Sequence, residues 1–121
     1  MKDYKKLANE LRRTVLKMTH QAQSSHIGSN FGSIDIMTVL YDIADLSLLP
    51  DFTTKDVVLC KSWNAANVYA CLVKKGLLPQ EAIDEYGKEG TPWTTILEPI
   101  PPYVPVGTGA MGYILPAAVG F

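Results

Sequence analysis

Histidine and cysteine are scarce in this sequence, with two of each among 121 residues. Cys60 and Cys71 stand eleven apart, which is neither a zinc-knuckle nor a redox spacing, and each has apolar neighbours. They read as reduced, buried thiols of a cytosolic protein. No HExxH, CxxC or Ser/His/Asp arrangement is present, so nothing points to hydrolysis or to a protein-bound zinc. An excess of one charge is missing too. The formal net charge is −1, which removes the electrostatic case for nucleic acid or an anionic membrane surface as partner. The opening MKDYKKLANELRR has no apolar signal core, so the chain reads as cytoplasmic. No uncharged run is apolar enough to span a bilayer: residues 99–121 lack charge but carry five prolines.

What is present is apolar. Hydrophobic residues make up 47% and charged residues 19%, a balance that builds a packed core rather than a disordered chain. The length suits one small domain. Residues 4–18 place Tyr4, Leu7, Ala8, Leu11, Val15 and Met18 at helical spacing, opposite Lys5, Lys6, Arg12, Arg13 and Lys17. Asp3 stands where an N-cap belongs. The basic outer face reads as a solvated surface.

A loop of small residues follows, SSHIGSNFGSID (24–35), with a second helix expected from Ser33 or Asp35. That helix, IDIMTVLYDIADL, is apolar around most of its circumference and is expected to be buried on more than one side. VVLC (57–60) is β-branched, short and apolar, the one convincing strand. KSWNAANVYACLVKKG reads as a loop into a helix that ends at Lys74, Lys75 and Gly76. Pro79 opens a short helix, PQEAIDEYG. Gly90 to Val106 is loop, and GTGAMGYILPAAVGF is a loop entering a helix in which Pro116 fits early rather than late.

A lone strand among helices predicts a parallel α/β layer whose other strands are absent. The last charged residue is Glu98, and so apolar an end predicts that the chain packs into something larger.

Three segments are candidates for chemistry. His26 lies among residues small enough for a ligand to approach the backbone, and free N–H groups expected at Ser33 to Ile36 could face an anion. His20 falls inside the first helix pattern and reads as structural. Lys61-Ser62-Trp63 follows the expected strand, where α/β proteins collect ligands; Trp63 can stack or donate one N–H, or serve as a core residue. Gly107, Gly109 and Gly112 permit tight turns but match neither a dinucleotide fingerprint nor a P-loop.

In order, these segments resemble the N-terminal region of transketolases, which move two-carbon ketol units between sugars using thiamine diphosphate. QSSHIGS stands where the family has a KSGHPG-type loop. VVLCKSWNAANVYACLVKKG stands for strand, S-K-G-H-A-A and helix; GTGAMGYILPAAVGF for T-G-S-L-G-Q-G and helix. The resemblance implies an α/β fold of helices around a parallel sheet, the thiamin-diphosphate-binding fold, incomplete in this chain, with residues 1–121 its N-terminal part. It implies that His26 is catalytic and binds substrate, and that Trp63, Gly109, Ala110 and Met111 lie along the cofactor. Trp63 replaces a family histidine and so lacks its proton chemistry. The G-D-G metal motif lies outside this sequence, so Mg²⁺ or Ca²⁺ is expected to be held by residues elsewhere. The expected partners are a sugar phosphate and other transketolase subunits, in a homo- or hetero-oligomer. Two alternatives are a non-catalytic assembly subunit and a related synthase joining pyruvate to a sugar aldehyde.

Overall fold

Three helices pack pairwise around one core in the computed structural model, which describes residues 1–107 and 109–121. Helix α1 spans Tyr4–Gln21, and the Asp3 carboxylate accepts from the Lys6 N–H at 3.0 Å as its cap. Its inward stripe is Ala8, Leu11, Val15 and Met18, the spacing of one helical face. Helix α2 spans Ile27–Ile43 and turns Asn30, Ile34, Met37, Thr38 and Tyr41 inward. A 3-10 turn, Ser62–Asn64, leads into α3, Ala65–Lys74, which is buried continuously from Ala65 to Leu72. That run explains its central place: a helix without a polar face must be covered all round. Each fully buried aliphatic side chain here contributes roughly 1.5–3 kcal/mol.

Smaller elements close the ends. Helix α4, Glu81–Asp84, packs on α3 and α1. Tyr69 meets Tyr86 and Trp93 edge-on, at 6.0 and 5.8 Å between ring centroids. Gly87 has φ +72°, and a Cβ there would stand 2.7 Å from that of Ala22, so no other residue fits. The Lys75 ammonium donates to the carbonyls of Tyr41 and Ala44 at 2.6 and 2.7 Å, placing a cation at the C-terminal end of α2. Arg12 and Asp35 tie α1 to α2 on the surface. No helix is long and apolar enough to cross a membrane among the described residues.

The α/β expectation is overturned. The described residues form a helical domain with no strand and no sheet; their only β pairings are the single bridges Leu48–Thr54 and Ile100–Val104. Val57–Cys60 has no strand beside it. β-branched residues favour an extended backbone locally, but a strand exists only through hydrogen bonds to a neighbour. Val58 and Cys60 instead pack against the helical core.

Three further expectations change. The small-residue loop is helical from Ile27, six residues before Ser33, so the N–H groups of Ser33 to Ile36 lie inside α2 rather than at its open end. Helix α2 buries one side only, and Ile36, Leu40 and Ile43 are exposed along the other. His20 lies on the surface of α1 rather than in a structural contact. The terminal segment does form a helix, α5, Ile114–Gly120, with Pro116 in its first turn. It touches no other helix. Both cysteines are free, and burial pushes each thiol up to about 12.

Candidate functional site

His26 and Trp63 are 37 residues apart in sequence, and the structure stacks them. Their ring centroids lie 4.7 Å apart with planes inclined by 22°. Lys61 Nζ stands 5.6 Å from the Trp63 ring centre, within cation–π range. Both rings are half-buried, while the Lys61 side chain is exposed.

The backbone under His26 is unusual. His26 is the N-cap of α2 with φ 72° and ψ 13°, a left-handed conformation that costs a non-glycine residue about 1–2 kcal/mol. Its side chain makes no capping bond. Nδ1 is buried without a partner among the described residues, which leaves Nε2 as the nitrogen that reaches outward. The N–H of Asn30 closes the first helical turn on the His26 carbonyl at 3.0 Å.

Asparagines hold this arrangement, and sequence reasoning missed them. Asn30 is fully buried. Its amide donates to the carbonyl of His26 at 2.9 Å and to that of Trp63 at 3.2 Å. Its Oδ1 accepts from the Asn67 N–H at 3.0 Å. Asn67 is the third residue of α3, so that N–H has no partner within its own helix. The residue preceding α3, Asn64, supplies no side-chain cap; a side chain from α2 does the work. In return the Asn67 amide donates to the Asn30 carbonyl at 2.7 Å and to Ser33 Oγ at 3.0 Å. The Ser29 hydroxyl donates to Asn64 Oδ1 at 2.7 Å. One signal was readable: Asn67 interrupts the apolar run AANVYACLV, where an unpaired amide would be costly.

The third candidate segment is not brought to the rings. Gly109, Ala110 and Met111 are exposed, Met111 at 72%, and no hydrogen bond or ring contact joins them to His26 or Trp63. Thr108, beside them, lies outside the described residues. A Cβ added at Gly109 would meet nothing within 4 Å, so the space beside this backbone is open. Among the described residues, no three His, Cys, Asp or Glu side chains are grouped to hold a metal.

No family model, no curated protein and no solved structure matches this chain.

What the pair can do follows from its chemistry. An indole face accepts the C–H side of a ring, and an imidazole with one outward nitrogen exchanges a hydrogen bond with a hydroxyl. Lys61 adds a mobile cation at the edge.

Proposed function

We propose that this chain supplies a sugar-binding element, the stacked His26–Trp63 pair, to a transketolase-type ketol transfer completed by another polypeptide. The order of the sequence segments supports the reaction class, and the ring stack supports a sugar as the ligand. In this reading the outward nitrogen of His26 holds a substrate hydroxyl, Trp63 lies against the carbon skeleton, and Lys61 meets a phosphate. Thiamine diphosphate would lie along Trp63, Gly109, Ala110 and Met111 in the completed assembly, and the second polypeptide would hold its Mg²⁺ or Ca²⁺.

The observation that carries the proposal is the His26–Trp63 stack. The test is a nuclear magnetic resonance titration of the whole chain with a ketose phosphate. The expected result is movement of the Trp63 indole and His26 ring signals, with His26→Ala weakening binding about tenfold, or about 1.4 kcal/mol. Unmoved ring signals at millimolar sugar phosphate reject it. A second reading, a non-catalytic assembly subunit, draws on the exposure of Gly109–Met111 away from the rings. It predicts hetero-oligomer formation with no sugar response.

A further inference from the structure

The outer side of α1 carries a surface that the sugar site does not use. A groove of 440 Å³ opens where α1, α3 and α4 meet, a volume within the range of ligand clefts. Leu11, Val73 and Ile83 form the apolar side of its lining, and Glu10, Lys17, Lys74 and Gln80 form much of the polar side. An open patch of α1 adjoins it through the shared Lys17 and is formed by Arg13, Leu16, Lys17 and His20. Leu16 is 52% exposed in the middle of those cations. Arg13, Lys17 and His20 follow i, i+4, i+7 spacing and so lie along one edge of the helix.

The charges of this surface are unevenly matched. Glu10 is the one carboxylate lining the groove or the patch among the described residues, and Lys74 already holds it at 3.0 Å. Arg13 and Lys17 have no ion pair among those residues. Solvated cations need no partner. Cations arranged around an exposed leucine, next to a groove with an apolar side, have the layout of an interface: an apolar centre inside a polar rim.

We propose that this groove and ridge dock an acidic, amphipathic peptide segment of a partner protein. An apolar side chain of the partner sits over Leu11, Val73 and Ile83, and its carboxylates face Arg13 and Lys17. A lipid surface is the poorer occupant: α1 spends its apolar face on the core, and within α1 Leu16 is the exposed large hydrophobic residue. A single-stranded nucleic acid is poorer too, because no Trp, Tyr or Phe lines either surface as a platform for successive bases.

The test is fluorescence anisotropy of the whole chain with a labelled helical peptide of Glu, Ala and Leu, its leucines at i and i+4. A peptide with Lys in place of Glu is the control. Binding of the acidic peptide is expected, weakening when salt is raised from about 50 to about 500 mM. Arg13→Glu/Lys17→Glu should weaken it about tenfold, and Leu16→Ser should weaken it further. Lys55→Glu/Lys88→Glu makes the same change in net charge elsewhere and should leave binding in place; circular dichroism checks that each variant folds. The proposal fails on any of four results. These are no binding of the acidic peptide, equal binding of the Lys peptide, equal loss in both double variants, or displacement of the peptide by phosphatidylserine vesicles or single-stranded RNA.

Discussion

Replacing Asn30 with alanine should destabilise the whole domain, because one buried amide joins three backbone groups. The substitution removes two donated bonds, to the carbonyls of His26 and Trp63, and one accepted bond, from the Asn67 N–H. At roughly 1 kcal/mol of net stabilisation each, the loss is about 3 kcal/mol. The Asn67 N–H then has no partner at the start of a buried helix, which adds to the loss. A small domain has about 5–15 kcal/mol in all, so the variant keeps its fold with a much reduced margin. Urea unfolding followed by circular dichroism measures this. With a urea dependence of about 1.5 kcal/mol per M, the midpoint should fall by about 2 M. Asn30→Asp should give no rescue: it keeps an acceptor for Asn67 but turns a carboxylate toward two carbonyls. A midpoint shift under about 0.5 M for Asn30→Ala, or wild-type stability for Asn30→Asp, refutes the reasoning.

Two more outcomes follow from local geometry. His26→Gly and His26→Ala both lose the ring stack, but only glycine accepts φ 72° without strain, so the glycine variant should be about 1 kcal/mol more stable in thermal unfolding; equal stabilities would remove the claim of strain. The Asp45 carboxyl is held down to about 2 from its ordinary 3.8, first by the Ser47 hydroxyl, then by Lys55, then by the Ser47 N–H. A depressed value means that the stabilisation is complete above the ordinary carboxylate range and is lost as pH falls towards 2. Carbon-detected titration should find the Asp45 midpoint near 2, and a midpoint near 3.8 contradicts the hydrogen bonds drawn here.

The amphipathic start was legible because its cause is local: Leu11, Val15 and Met18 recur at helical spacing, and Asp3 caps. The C-terminal end of α3 and the place of Pro116 follow from equally local rules. The α/β layer was misread at Val57–Cys60 because a β-branched tetrapeptide states a preference, whereas a sheet is a relation between segments. The start of α2 was misread for the opposite reason. Gly28 and Gly32 weaken a helix by about 1 kcal/mol each relative to alanine, yet bonds from Asn30, Ser29 and Ser33 to residues more than thirty positions away hold it in place. Those bonds have no local signature. For the site, His26 and Trp63 were both named from sequence, but their mutual stacking belongs to the packing of α2 against the 3-10 turn.

Because a single carboxamide grips the backbone beneath each ring, the two aromatic planes are geared to the helices that carry them. They have little freedom to drift apart independently. A guest that wedges between them must lever α2 away from α3, whereas one that lies across their outer edge leaves the gearing untouched. The second route is open at no mechanical expense, and so the pair should act as a fixed shelf rather than a jaw.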